Sequence, residues 1–496
     1  VTGVQTCALP IWNLPVHAGQ TLPDWQARIS NHVASARLAH ATWGIQVVSL
    51  DSGRSLFEHN PGKLLKPASN AKLYTAAMAL DRLGPEHRIR TSLLSTARPD
   101  STGTLQGDLV VYGRGDPSLS VRFGRLTYAT LLEPVVSAMT NAGIRRIEGD
   151  LVGDESFFHG SPFGSGWMWD DSQSHHGPEV SALSVQDNVV DLVFRPGSTL
   201  NAACRIETLP ASTPLRFDNH SRTVHPGTRT GIRLYRPPGG NDVDVSGSVA
   251  LGEHQTTAAM AVHDPALWYV TLLREALGRH GIQVRGRTRT LDWRARRQAP
   301  LETARLIELG AVTSPPMREL VRQMMKPSQN LYAQLLLLQA GRNSPRRDDE
   351  GTSEEGGLAE LRAFLKEAGV PPGEVYLDEG AGLSHAALAT PQATVRLLRH
   401  MATHRHAEAF RESLPIAGVD GTLRHRLTEE GVAGNIRAKT GTLRFVNCLS
   451  GYAKTAAGER VAFSIMLNHY PPSDGQSSGR NEVDAVAAMI ARLDVR

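Results

Sequence analysis

The sequence predicts a mixed α/β protein in which the two ends of the chain form one α/β domain and a long β-rich segment interrupts it. Apolar residues at helical spacing follow Pro67-Ala68-Ser69, and helices and strands return in the last third of the chain. Between them, from about 91 to 304, short strand-like runs alternate with Gly, Pro, Asp and Ser turns. A chain of 496 residues is long enough for two or three domains.

The first part of the α/β domain is expected over 24–90. The stretch Trp43–Phe57 alternates apolar residues around the turn Asp51-Ser52-Gly53, which predicts a hairpin. Apolar positions at i, i+3, i+4 and i+7 predict a helix over Leu73–Leu83, and Gly84-Pro85 is a typical helix end.

The insert and the second part of the domain follow as 91–304 and 305–496. In the insert, the sequence predicts strands such as Asp108–Tyr112 and Gly231–Tyr235 in one or two small β-rich domains. The second part should contain helices over Met317–Gln339 and Glu482–Leu493, with strands over Ile436–Lys454 and Arg460–Leu467. The polar, glycine-rich segment Gly341–Gly357 predicts an exposed loop.

The N-terminus is unusual because the chain begins with Val1 and its first eleven residues resemble translated sequencing-adapter read-through. Residues 1–23 are therefore interpreted as non-native or disordered, and a signal peptide is expected to have been lost or replaced there. No run of 18 apolar residues occurs, so no membrane-spanning helix is expected.

The charge and the cysteine content argue against several classes of function. The net charge of +4 comes without a run rich in Lys and Arg, so the sequence does not predict a nucleic-acid partner. Three cysteines without a C-x-x-C pair support neither a zinc site nor a disulfide scaffold, and leave a Cys204–Cys448 pairing open.

The tetrad Ser69-Asn70-Ala71-Lys72 places a serine and a lysine on one face of the predicted helix start. A serine hydroxyl is a weak nucleophile until a base removes its proton, and a lysine can be that base when burial lowers its pKa. The chain has only seven lysines, which gives a lysine at this spacing more weight. Alone, the tetrad is better explained as a chance match at an ordinary helix start than as a catalytic motif.

The triplet Lys439-Thr440-Gly441 is more specific, because composition predicts only about 0.05 such triplets in the chain. A strand edge with a lysine, a hydroxyl and a glycine can hold a peptide carboxylate and lets the substrate backbone approach closely. The alternative is an ordinary edge strand protected by a lysine.

The triplet Ser328-Gln329-Asn330 stands in a predicted loop before a helix. Its serine hydroxyl can pass a proton to a leaving group, and its asparagine amide can bind both the substrate and a lysine. Ser and Asn also favour helix starts, so a capping role is the alternative.

Taken together and in this order, S-x-x-K, S-x-N and K-T-G match the signature of penicillin-binding proteins and class A β-lactamases. Over residues 24 to 490, the sequence resembles the low-molecular-mass class C penicillin-binding proteins, a family of D-Ala-D-Ala carboxypeptidases and endopeptidases. Further segments share this resemblance: Lys66–Leu73, Gly113–Leu119, Gly166–Asp171, Leu183–Asn188 and Leu414–Leu423.

The resemblance implies a β-lactamase/transpeptidase-like domain with an antiparallel sheet flanked by helices. It also implies roles for the motif residues. Ser69 would attack the substrate carbonyl with Lys72 as base, and the remaining residues would complete the proton path, bind the terminal carboxylate or form the oxyanion hole: Ser328, Asn330, Lys439, Thr440, Gly441 and Thr442.

One segment departs from the family pattern. The family has D-G-S-G-L-S-R where this chain has Glu379-Gly-Ala-Gly-Leu-Ser-His385. In the family, that arginine contacts the side-chain carboxylate of diaminopimelate, and an aspartate matching Asp171 holds its amine. We hypothesise that Arg444 supplies the missing positive charge, with His385 standing at the arginine's position.

The function implied by the resemblance is a periplasmic or otherwise extracytoplasmic serine DD-peptidase that acts on peptidoglycan stem peptides and is acylated by β-lactams. It needs no metal or organic cofactor, and a peripheral membrane contact stays open. One alternative is a β-lactamase or esterase of the same superfamily. The 259-residue spacing from Ser69 to Ser328 argues against it, because class A β-lactamases lack such a spacing. The other is a non-catalytic penicillin-binding or sensor domain, which Glu379 and Ala381 leave open.

Overall fold

The computed structural model describes residues 21–299, 305–342, 344–346, 351–470 and 478–495. Its helices are α1 (Leu22–Val33), α2 (Ala71–Leu83), α3 (Glu133–Asn141), α4 (Pro265–Arg279), α5 (Trp293–Gln298), α6 (Met317–Met325), α7 (Asn330–Arg342), α8 (Ser353–Glu367), α9 (Pro391–Thr403), α10 (Ala407–Ser413) and α11 (Gly479–Ala491). None of these helices is long and apolar enough to cross a membrane.

The strands of the first half are β1 (Thr42–Ser49), β2 (Ser55–His59), β3 (Arg90–Ser95), β4 (Thr104–Leu105), β5 (Leu109–Tyr112), β6 (Arg146–Ile147), β7 (Leu151–Asp154), β8 (Val189–Arg195), β9 (Arg205–Leu209), β10 (Arg216–Asn219), β11 (Arg222–Val224), β12 (Gly231–Tyr235) and β13 (Asp242–Ala250). The strands of the second half are β14 (Thr256–Ala261), β15 (Gln283–Val284), β16 (Thr288–Leu291), β17 (Ile307–Thr313), β18 (Val375–Tyr376), β19 (Leu388–Ala389), β20 (Ile436–Leu443), β21 (Val446–Lys454) and β22 (Arg460–Asn468).

The main sheet unites both ends of the chain in the order β2-β1-β22-β21-β20, with every neighbouring pair antiparallel. Alternation along β22 explains how both faces are covered. Phe463 and Ile465 pack in one core with Trp25 of α1, while Met466 packs on the other face with Leu73 of α2. The predicted fold class, an antiparallel sheet flanked by helices, is therefore confirmed.

The insert carries a second five-stranded sheet, in the order β16-β7-β5-β3-β17, with α3 and α4 packed near it. Smaller sheets follow, including β14-β8-β9 and a four-stranded sheet formed by β10 to β13. Because β17 pairs with β3, this sheet extends past the boundary at 304 that the sequence predicted. Strands β17 and β3 pair across more than 200 positions, and the local sequence pattern does not reveal such a partner.

The predicted exposed loop Gly341–Gly357 is wrong at both ends, because α7 includes Gly341 and α8 begins at Ser353, whereas residues 344–346 form a partly exposed turn. The glycines do not break these helices but let them approach. A Cβ atom on Gly341 would lie 1.9 Å from the carbonyl oxygen of Ser353, and one on Gly357 would lie 2.4 Å from that of Leu337. Residues 343 and 347–350 lie outside the described residues.

At the N-terminus, residues 1–20 lie outside the described residues. The structure therefore does not test the interpretation of Val1–Ile11. Helix α1 begins at Leu22, just before the expected boundary, with a capping box between Thr21 and Asp24. The indole of Trp25 donates to the carbonyl oxygen of Met489 at 2.8 Å, which ties α1 to α11. Cys204 and Cys448 are both free and buried, so they do not pair.

Candidate active site

Ser69 lies at the start of the α2 helical segment, in a short 3-10 turn over Ala68–Asn70 that runs into α2. This turn is fixed to the main sheet, because the Asn70 side chain donates to Ser450 Oγ at 2.6 Å. Ala68 has a φ of 49°, a left-handed conformation that costs a non-glycine residue about 1–2 kcal/mol. Strain of this kind next to a serine is typical of functional sites, where packing holds the backbone in place.

Lys72 occupies the centre of a hydrogen-bond network. Its Nζ lies 2.9 Å from Ser69 Oγ, 2.6 Å from Asn330 Oδ1 and 2.7 Å from the carbonyl oxygen of Ala381. The side chain is fully buried, and burial lowers the pKa of Lys72 to about 7, although the charge of Glu379 acts in the opposite direction. A lysine with this pKa can be neutral near neutral pH and accept the Ser69 proton.

Glu379 explains how the departing segment is accommodated. Its buried carboxylate accepts hydrogen bonds from the backbone N–H groups of Ala381, Gly382 and Leu383 at 2.6 to 2.8 Å. These bonds fold the segment so that the Ala381 carbonyl faces Lys72. Ala381 thus contributes through its backbone, and the serine side chain of the family pattern is not needed for this contact.

The S-x-N triplet joins the site from the loop between α6 and α7. Ser328 has a φ of 66°, a second strained residue at the site. Its Oγ lies 2.8 Å from Lys439 Nζ, and the Asn330 side chain bridges Lys72 to the carbonyl oxygen of His176 at 2.7 Å. The capping alternative from the sequence does not account for these contacts.

Lys439, Thr440 and Gly441 lie on β20, which is the edge strand of the main sheet. Lys439 is fully buried, and burial together with the charge of Lys72 holds the pKa of Lys439 well below its usual value. Thr440 Oγ1 donates to Thr422 Oγ1 at 2.8 Å. An edge strand offers unpaired backbone groups to which an extended peptide can add.

Gly441 lets β20 approach the turn that carries Ser69. A Cβ atom at this position would lie 2.5 Å from the carbonyl oxygen of Pro67 and 3.1 Å from Cys448 Cβ. We expect Gly441→Ala to push β20 away from Ser69 and lower kcat/KM by about 100-fold, since misplacement by about 1 Å has effects of this size. Steady-state kinetics measures the loss.

Gly278→Ala is the matched control, because Gly278 lies in α4 and nothing stands within 4 Å of its added Cβ atom. This variant should keep full activity. An unchanged kcat/KM in a folded Gly441→Ala protein would contradict the close approach.

A cleft of about 400 Å³ opens over these motifs. It is lined by Ser69, Ser328, Asn330, Thr440 and Thr442 from the motifs, and by further residues that include Arg122, His175, His176, Gly382 and Thr422. The structure therefore brings the three motifs together around one cleft. Within the described ranges, no group of three or more His, Cys, Asp or Glu side chains is arranged to hold a metal ion.

Arg122 and Asp187 were not predicted as site residues. Asp187 is buried and accepts hydrogen bonds from Arg122 at 2.6 Å, from Gln329 at 3.1 Å and from Tyr332 at 2.6 Å. It thereby anchors the S-x-N loop to the insert. The family-like segment Leu183–Asn188 contained the signal, but its partners are far apart in sequence.

The three residues proposed for side-chain recognition have different surroundings. Asp171 is half-buried beside His176 and His385, and burial raises the pKa of Asp171. Arg444 is exposed in the turn after β20, where it stacks on the Phe445 ring at 4.9 Å, and it does not line the described cleft.

A buried lysine beside a helix-start serine, a second lysine on an edge strand and an S-x-N loop define a serine acyl-transfer enzyme of the penicillin-recognising class. The chain belongs to the D-Ala-D-Ala carboxypeptidase 3 (S13) family, whose model matches residues 25–493.

Individual relatives agree with this assignment. A D-alanyl-D-alanine carboxypeptidase of Actinomadura sp. (strain R39) is 30% identical over 466 residues, which cover 91% of this chain and 82% of the relative. The D-alanyl-D-alanine carboxypeptidase DacB of Haemophilus influenzae is 27% identical over 441 residues, 88% of this chain and 87% of the relative. The crystal structure of penicillin binding protein 4 (dacB) from Haemophilus influenzae matches with a TM-score of 0.78 at 25% identity, covering 93% of this chain and 97% of that one.

Proposed function

We propose that this enzyme removes the terminal D-alanine from peptidoglycan stem peptides that end in D-Ala-D-Ala, with Ser69 as the nucleophile. The observation that carries the proposal is the position of Lys72 Nζ, within hydrogen-bonding distance of both Ser69 Oγ and Asn330 Oδ1. Neutral Lys72 takes the Ser69 proton while Ser69 Oγ forms a bond to the carbonyl carbon of the penultimate D-alanine.

The leaving group needs a proton as its C–N bond breaks. Protonated Lys72 returns the proton that it took from Ser69, through the hydroxyl of Ser328, which Lys439 holds at 2.8 Å. The backbone N–H groups of Ser69 and Thr442 stabilise the oxyanion, and Lys439 and Thr440 bind the terminal carboxylate. Water then attacks the acyl-enzyme, returns a proton through Lys72 and releases the shortened peptide. The same attack on the amide of a β-lactam leaves the drug bonded to Ser69.

An endopeptidase reaction uses the same steps with a different leaving amine, that of diaminopimelate in a cross-linked stem peptide. Asp171 is proposed to hold the free side-chain amine of a second diaminopimelate, the residue that precedes the cleaved D-alanine, with His385 or the exposed Arg444 facing its carboxylate. Because peptidoglycan lies outside the cytoplasmic membrane, the proposal places the enzyme in the periplasm or another extracytoplasmic compartment. A peripheral membrane contact stays compatible with it.

The test combines two measurements on the wild-type protein. Release of the terminal alanine is measured, with an assay that detects both enantiomers, from an acylated peptide ending in D-Ala-D-Ala and from the matched peptide ending in D-Ala-L-Ala. Benzylpenicillin labelling is followed by intact mass and by mapping of the modified peptide. Release from the first peptide alone, with the adduct on the peptide that contains Ser69, is the expected result. A folded protein with neither release nor adduct would support the non-catalytic alternative.

A further inference from the structure

Arg236 directly follows β12 in the insert and has a buried guanidinium, with only 1% of the residue's surface exposed. Its Nη1 donates to the carbonyl oxygen of Gly240 at 2.6 Å and its Nη2 to that of Ser172 at 2.8 Å. Its backbone N–H donates to Gln173 Oε1 at 2.7 Å. Both side-chain acceptors are neutral carbonyl oxygens, so the positive charge is not paired with a carboxylate by these bonds.

Such an arrangement is a poor way to stabilise a fold. Burying a guanidinium is unfavourable unless an opposite charge compensates it, and an apolar side chain of similar volume often stabilises a fold better. Burial lowers the pKa of Arg236, with Glu179 as the carboxylate that opposes this shift. The charge is therefore better explained by what its hydrogen bonds hold in place.

The hydrogen bonds of Arg236 hold the loop that carries Asp171. Ser172 and Gln173 directly follow Asp171, and the same loop continues to His176, whose carbonyl oxygen accepts from the Asn330 side chain. The loop is thus fixed at two points. One lies in the insert at Arg236, and the other lies in the S-x-N motif beside Lys72.

We infer that Arg236 is a positioning residue that fixes the Asp171 loop beside the cleft and thereby sets the enzyme's preference for a charged side chain on the residue before D-Ala-D-Ala. This inference rests on the proposed function. It assigns the β10–β13 part of the insert a role in substrate selection that does not involve contact with the substrate.

The role of Arg236 can be tested with two peptides that differ only in the residue before D-Ala-D-Ala. This residue is diaminopimelate in one peptide and norleucine in the other. We expect Arg236→Met to lower kcat/KM for the diaminopimelate peptide about tenfold, the size of a lost hydrogen bond to a charged group. The norleucine peptide and the rate of acylation by benzylpenicillin should change less than twofold. Arg236→Lys should recover part of the preference, because a lysine keeps the charge but reaches only one of the two carbonyl groups.

The effect must also depend on Asp171. In an Asp171→Asn background, Arg236→Met should change the ratio of the two kcat/KM values no further, since the two residues act through one loop. Arg216→Met is the matched control, because Arg216 lies on β10 of the same small sheet, is 70% exposed and pairs with Asp242. It should leave the ratio unchanged.

If Arg236→Met does not fold, Gln173→Leu removes one of the hydrogen bonds and should shift the ratio in the same direction by less. Equal losses on both peptides, or additive effects with Asp171→Asn, would overturn the inference while wild-type turnover upheld the proposed function. Absence of wild-type turnover and of a penicillin adduct would instead overturn the proposed function itself.

Discussion

Ser69→Ala is expected to abolish both D-alanine release and the benzylpenicillin adduct. Loss of the nucleophile in a serine peptidase lowers kcat on the order of 10⁶-fold, because no covalent route remains. The fold should persist, since Ser69 is only partly buried and its turn is fixed to the main sheet by Asn70 rather than by its own side chain. Intact mass after penicillin treatment and a D-alanine assay measure the two losses.

Ser161→Ala is a suitable control for Ser69→Ala, because Ser161 is an exposed serine that does not line the cleft. It should acylate and turn over as the wild type does. A penicillin adduct that persists in Ser69→Ala would show that another residue is the nucleophile.

Lys72→Met is expected to slow acylation by about 10² to 10⁴-fold, the range that a positioned general base contributes. Methionine keeps the apolar volume of the buried stem but removes the group that lies 2.9 Å from Ser69 Oγ. Stopped-flow acylation with a chromogenic β-lactam measures the rate. Lys63→Met, which removes an exposed lysine, should have no effect.

The pH profile identifies the base. Burial lowers the pKa of Lys72 to about 7, and only neutral Lys72 accepts a proton. The rate of acylation should therefore rise with pH up to about 7 and then level off. At pH 5 the rate should be about 100-fold below its plateau. Glu379→Gln removes a charge that raises the pKa of Lys72, so the pH range over which the acylation rate rises should shift to lower pH. An unchanged pH profile in Glu379→Gln would contradict the assignment of Lys72 as the base.

The three motifs around the cleft could be recognised from sequence because their spacing is local or follows a known order. The distance between Ser69 and Lys72 is set by one helical turn, and Lys439 lies on a strand whose alternation is visible. The family, the fold class and the enzyme class predicted in this way are confirmed.

Contacts made by the backbone could not be predicted from motif spacing. Glu379 and Ala381 looked like departures that weaken the site, yet Glu379 binds backbone N–H groups and Ala381 offers its carbonyl oxygen to Lys72. A side-chain pattern carries no signal for such roles. Long-range partners such as Asp187 with Arg122, or Arg236 with Ser172, are likewise set by tertiary packing rather than by local periodicity.

The order of strands in the main sheet has a consequence for the biosynthesis of the enzyme. Ser69 is translated early, but β20 is joined to β1 only through β21 and β22, which follow several hundred residues later in the sequence. A chain that stops before Arg460 therefore carries Ser69, Lys72 and Lys439 without the strand that links them. Hydrolytic activity is therefore expected only after translation has passed β22, and chains that stop earlier should be inactive.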